Sequence, residues 1–207
     1  MKPTDEGFPM QSQFRLGIIG LGLVAKEHIA AYQKLDGIRI VSVCDANAGA
    51  AAHWGRTLDA AHYTDHRDLL ARGGIDLVLV LTPASTHRPI VEAAAAAGFH
   101  VLCEKPLAVT VEDGEAMVAA CARHGVKLFY GSIYRYLPAV RTAKALIEQG
   151  AIGAIQVMTE QMIGGNGAAA YRQLDPVHYP HGGPGGSGMG LVDHGVHLID
   201  VFSWFTG

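Results

Sequence analysis

A chain of 207 residues has room for one full domain of about 100 to 200 residues and part of a second, which excludes two complete large domains. With 49% hydrophobic residues, 17% charged residues and a formal net charge of −3, it supports a packed core and offers no basic surface for nucleic acid. Cys44, Cys103 and Cys121 match neither a disulfide framework nor a CxxC metal pair. They read as small, buried, reduced thiols. Met1 to Gln13 is polar and reads as a frayed leader rather than a secretory signal, and no run of about 18 apolar residues suits a membrane helix. The expectation is a soluble, cytoplasmic protein.

In chain order, FRLGIIG from Phe14 to Gly20 is short, apolar and closed by glycine, the pattern of a buried strand. Ala25, Ile29, Tyr32 and Leu35 recur at helical spacing up to the turn Asp36-Gly37, and Ile38 to Cys44 is a second strand. Helices are predicted near Ala46 to Leu58 and Asp65 to Ala71, and Asp76 to Leu81 reads as a central parallel strand. Pro89 to Ala97 is predicted helical, Phe99 to Cys103 a strand, Val111 to Arg123 a helix and Val126 to Tyr130 a strand. Such alternation implies a parallel sheet covered on both faces, because parallel strands need crossover connections.

After Tyr130 the texture changes, and a domain boundary falls there, giving units 1–130 and 131–207. A helix is predicted around Pro138 to Gln149, a strand around Ala154 to Met162 and a last helix from Leu191 to Phe205. The glycine-rich stretch from Gly164 to Gly190 is too long for an ordinary connection and reads as a functional or disordered loop.

Three groups of residues carry candidate chemistry. Gly20-Leu21-Gly22-Leu23-Val24-Ala25 fits G-x-G-x-x-G/A between a strand and a helix. The first glycine suits a tight turn, the second lets main-chain N–H groups approach a pyrophosphate, and Ala25 lets helix and strand pack closely. An ordinary tight turn is the competing reading. Asp45, 23 positions beyond Gly22, is placed to accept ribose hydroxyls and to repel a 2′-phosphate, favouring NAD over NADP; alternatively it caps the next helix.

Glu104-Lys105-Pro106 stands at the carboxyl edge of the sheet, where open α/β sheets bind ligands. A lysine beside a nicotinamide can stabilise a developing alkoxide, whereas the alternative is a solvated ion pair before a proline turn. Asp193-His194-Gly195-Val196-His197 puts Asp193 and His197 four residues apart on one helical face. Histidine is a natural base for an alcohol proton. Plain surface polarity and a metal site built from Asp193, His194 and His197 compete with that reading, and no metal is expected because matching ligands elsewhere are lacking.

These residues resemble the Gfo/Idh/MocA oxidoreductases, the family of glucose-fructose oxidoreductase and inositol dehydrogenase. The resemblance rests on GIIGLGLVA from Gly17, VCD ending at Asp45, TPASTHRPIVEAAAAAGFHVLCEKPLAVT from Thr82 to Thr110, and DHGVH from Asp193. It implies a doubly wound Rossmann domain followed by an α+β domain with a large open sheet used for homo-oligomerisation, here incomplete. It also implies hydride transfer between NAD and a sugar, polyol or related alcohol or ketone.

By motif match, Lys105, Asp193 and His197 take the catalytic positions. Gly20, Gly22, Leu23, Val24, Asp45, Thr82, Pro83, His87, Glu104 and Lys105 face the cofactor. Tyr171, Arg172, Asp193 and His197 face the substrate, and Lys105-Pro106 is expected to be cis. Because relatives continue past the DxxxH helix, a truncated chain is expected, and a non-catalytic NAD-binding or sugar-sensing protein is the rival function.

Overall fold

The structure, a computed structural model, describes residues 13–160 and 195–207. Six strands form one parallel sheet: β1 (Phe14–Ile19), β2 (Ile38–Cys44), β3 (Ala61–Tyr63), β4 (Leu77–Val80), β5 (His100–Cys103) and β6 (Leu128–Tyr130), in the order β3-β2-β1-β4-β5-β6. That order is the doubly wound one, in which the chain reverses direction across the sheet at β1 and β4. The crossover helices are α1 (Leu23–Tyr32), α2 (Ala48–Leu58), α3 (His66–Arg72), α4 (His87–Ala96) and α5 (Val111–Arg123).

The run LVLVL from residue 77 shows why the central strands are apolar at every position. Val78 and Val80 enter one core with Ile90, Val91, Val101 and Met117, whereas Leu79 and Leu81 enter the other with Leu16, Ile18, Ala25 and Ile29. Successive side chains point to opposite faces, and helices cover both, so alternation with polar residues disappears. Gly17 in β1 lies where a Cβ would come within 2.9 Å of the Ile75 side chain. This is a close-approach site inside the strand.

Helix termini follow their capping residues. Asn47 accepts from the Gly49 and Ala50 N–H groups, starting α2 two residues later than predicted, and Thr110 accepts from the Asp113 N–H at the start of α5. Gly98 and Gly125, both at positive φ, follow α4 and α5 as the stop signals predict. The first helix ends at Tyr32 rather than reaching Leu35, which is 51% exposed: its spacing matched the buried stripe, but the chain has already turned toward β2.

Two further differences concern strands. β3 went unrecognised because three residues have no detectable period; pairing with Ser42 to Cys44 creates it. Conversely, residues 154–160 of the predicted Ala154–Met162 strand form no regular structure, since no neighbouring segment among the described residues pairs with them. After β6 the described chain holds a short 3₁₀ turn (Tyr134–Tyr136), α6 (Pro138–Glu148) and α7 (Gly195–Thr206). No helix among the described residues is long and apolar enough to cross a membrane.

Candidate functional site

The phosphate turn is built as its glycines require. Gly20 has φ +95°, and a Cβ there would lie 2.7–2.8 Å from the main chain of Leu81 and Thr82. At Gly22, the N-cap of α1, a Cβ would meet nothing within 4 Å. No side chain caps α1 and no acidic residue stands in its first turn, while Leu23 is 75% exposed. A helix N-terminus with open space, unfilled N–H groups and an uncovered apolar side chain fits a dinucleotide pyrophosphate.

Asp45 leaves the end of β2 and turns back onto this loop. Its Oδ2 accepts the Leu21 N–H at 2.7 Å and its Oδ1 the Asn47 N–H at 2.8 Å. Asn47, not Asp45, caps α2. The carboxylate is therefore pinned beside the phosphate turn with lone pairs left for further hydroxyl donors.

Beyond β4, the Thr82-Pro83 loop continues into α4. His87 is enclosed, with Nε2 2.7 Å from the Thr82 carbonyl oxygen and Nδ1 3.0 Å from that of Leu107. It bolts the Thr82 loop to the segment after Lys105. Lys105-Pro106 is cis.

Glu104 is also turned inward. Its Oε1 lies 3.0 Å from His28 Nε2, and its Oε2 accepts the Lys105 N–H at 2.7 Å. At 7% exposure it is not the solvated partner of a surface ion pair. Its main-chain N–H continues the sheet by donating to the Val80 oxygen.

The segment after β6 brings α7 to the same rim. The Gly131 N–H donates to the Cys103 oxygen, which sets residue 131 against Glu104. From there Ser132 and Arg135 reach α7: Ser132 Oγ donates to Asp200 Oδ2 at 3.0 Å, and Arg135 grips both carboxylate oxygens of Asp200 at 2.6 and 2.8 Å. Two cations, the Arg135 guanidinium and the Lys144 ammonium, lie over the Trp204 ring, each 5.7 Å from its centre. Lys144 Nζ also donates to the Trp204 carbonyl oxygen at 2.8 Å. His197, buried, stacks on Tyr134 with ring centroids 4.2 Å apart. Burial, and next the negative charges of Asp200, Glu104 and Cys103, push the Tyr130 phenol up to about 12, a sign of how close α7 and the Glu104 segment come.

The Lys105 segment and the His197 helix are thus on adjoining elements at the carboxyl ends of β5 and β6, on the edge that also carries Gly20 and Asp45. Asp193, His194, Tyr171, Arg172 and the glycine-rich stretch lie outside the described residues. Among the described residues, no group of three or more His, Cys, Asp or Glu side chains could hold a metal. Sequence reasoning missed His28, Ser132, Tyr134, Arg135 and Asp200. Only His28 left a signal, as a polar residue on the stripe shared by Ala25, Ile29 and Tyr32.

A model of the family described as "Oxidoreductase family, NAD-binding Rossmann fold" matches residues 14–132. The chain is 37% identical over 142 residues to a D-apiose dehydrogenase of Paraburkholderia graminis, covering 68% of this chain and 38% of that protein. It is 32% identical over 199 residues to an inositol 2-dehydrogenase of Burkholderia multivorans, covering 93% and 54%. The crystal structure of scyllo-inositol dehydrogenase from Lactobacillus casei with bound NAD(H) and scyllo-inositol superposes with a TM-score of 0.83 at 28% identity, covering 95% of this chain and 57% of that one. The chain spans from 38% to 57% of the length of these relatives. On the match to its dinucleotide-binding half, the chain belongs to the Gfo/Idh/MocA oxidoreductases, a family with an NAD-binding Rossmann fold.

Proposed function

We propose that the chain carries the cofactor half and the first substrate-side elements of an NAD-dependent dehydrogenase acting on a sugar, polyol or related alcohol or ketone. The carrying observation is the convergence of the Lys105 segment and His197 through Gly131, Ser132 and Tyr134 at the rim that also holds Gly20 and Asp45. The relatives named above, dehydrogenases of apiose and inositol, point to the substrate class.

In this reading the Gly20–Val24 turn holds the pyrophosphate, Asp45 the adenosine ribose, and the Thr82-Pro83 loop flanks the nicotinamide side. Bound NAD supplies the hydride acceptor. The His197 imidazole takes the proton of the substrate hydroxyl, and the Lys105 ammonium stabilises the oxygen as negative charge develops. Asp193 is assigned the orienting role by resemblance. His87 and Glu104 hold the two loops from behind. Residues 1–130 form the dinucleotide unit and 131–207 the start of the substrate-side unit.

Three buried free cysteines accord with a reducing, cytoplasmic location. Exposed Ile133, Tyr136, Leu137 and Ile199 in the second unit accord with homo-oligomerisation, which sedimentation would read.

Lys105→Ala and His197→Ala test the roles. With NAD and a panel of inositols and pentoses, each variant is expected to lose about 100-fold or more in turnover while its NADH affinity changes less than about threefold. Wild-type turnover in both variants overturns the assignment.

A further inference from the structure

Glu104 is a buried carboxylate whose two resolved donors come from different segments. One is His28 Nε2 on α1, 3.0 Å from Oε1; the other is the main-chain N–H of Lys105, 2.7 Å from Oε2. An ionised carboxylate accepts only, so Nε2 is the donor in the first bond. Burying such a group is costly unless its oxygens are satisfied, so both donors are held in place by the same penalty.

The surroundings are shaped to keep this geometry. Tyr32 stacks on His28, centroids 6.0 Å apart, and its phenol is pushed up first by burial and then by the Glu104 charge. On the other side, a Cβ on Gly131 would stand 3.2 Å from the Glu104 Cα and 3.4 Å from Oε1, so glycine there leaves the carboxylate its space. The Glu104 main chain is fixed to β4 through Val80. His28 lies on α1, whose N-cap Gly22 belongs to the phosphate turn, and Lys105 directly follows Glu104 in the chain.

We propose that His28 is a positioning residue for Lys105: acting through Glu104, it ties the main chain of Lys105 to the helix that begins at the dinucleotide turn. The inference rests on the reading of Lys105 as the oxyanion-stabilising group, and adds a determinant on α1 that the motifs do not assign. Its consequence is that the ammonium is placed relative to the phosphate turn by two hydrogen bonds rather than by the loop alone. Small misplacements at such a site are expensive, since about 1 Å can cost about 100-fold in rate.

Two variants of His28 separate this role from packing. His28→Gln keeps an amide N–H donor at a reach similar to Nε2 but loses the ring, whereas His28→Phe keeps a ring against Tyr32 and loses the donor. Glu104→Gln retains one side-chain oxygen to accept the Lys105 main-chain N–H and turns its amide N–H toward His28, whose other tautomer can accept it. The readout is the labelling rate of Lys105 by trinitrobenzenesulfonate, followed by peptide mass spectrometry on the 207-residue chain without cofactor, and then with saturating NADH.

His28→Phe is expected to label at least about threefold faster than wild type, with His28→Gln and Glu104→Gln within about twofold of it. A labelling rate in His28→Phe equal to wild type, or a faster rate in His28→Gln than in His28→Phe, overturns the inference whatever NADH does. Failure of NADH to protect Lys105 in the wild-type chain instead overturns the proposed function, while the cofactor-free rates still decide the role of His28.

Discussion

The imidazole of His197 lies face to face with the phenol ring of Tyr134, their centroids 4.2 Å apart and their planes 6° from parallel. The stack fixes the ring that the proposed chemistry uses, and it joins α7 to the segment leaving β6. Tyr134→Phe is expected to keep turnover within about twofold, because the stacking face is retained. Tyr134→Ala should lower it by about fivefold, the equivalent of about 1 kcal/mol of ring–ring contact. Equal activity in Phe and Ala variants, measured as kcat, would show that the stack does not orient His197.

Arg135 and Asp200 form the second tie between α7 and the same segment. Removing one partner should cost stability, yet the Arg135 side chain is 40% exposed, so solvent screening limits the loss to about 1 kcal/mol. A double-mutant cycle of Arg135→Ala and Asp200→Asn by urea unfolding should give a favourable coupling energy of about that size. Additive losses would mean that the pair contributes nothing to docking α7.

The two motif glycines should respond differently to a methyl group. Gly20→Ala combines positive φ with a main-chain clash and is expected to cost about 1–3 kcal/mol, seen as a fall in Tm. Gly22→Ala meets open space and should lower stability by less than about 1 kcal/mol. If that space is the pyrophosphate seat, its NADH affinity nevertheless falls about tenfold or more, by direct occlusion. Unchanged NADH affinity in Gly22→Ala would remove the turn from the binding site.

How much of this was legible in the sequence follows from the range of the interactions. β4 was readable because five consecutive apolar residues can be buried on both faces only inside a covered parallel sheet, and the phosphate turn was readable because its glycines act on their neighbours. β3 exists only through pairing with β2, and the strand expected over Ala154–Met162 had no partner to create it among the described residues. The Glu104–His28 bond spans 76 positions and the Arg135–Asp200 grip spans 65. No local pattern encodes either, so the supporting contacts of Lys105 and His197 needed coordinates.

Buried thiols make alkaline stability a further test. Burial, and next the charges of Glu104 and Cys121, push the Cys103 thiol from 9.0 up to about 12; Cys44 rises to about 12 by burial and then by Asp45, Asp65 and Asp68. The folded chain therefore holds these protons more tightly than the unfolded chain does. Stability should be insensitive to both thiols below about pH 9 and fall as pH rises toward 12, by up to about 1.4 kcal/mol per pH unit for each. Urea midpoints at pH 8, 10 and 11 read this, and Cys103→Ala should flatten the decline. A flat wild-type profile would contradict the burial of the thiolate-forming groups.

The central claim, that the rim between Gly20 and Lys105 seats NAD, is tested most directly by fluorescence titration of the chain with NADH and with NADPH. The account predicts saturable one-to-one binding of NADH, at least about tenfold tighter than NADPH because Asp45 repels a 2′-phosphate. Absence of saturation with NADH, or tighter binding of NADPH, would contradict it.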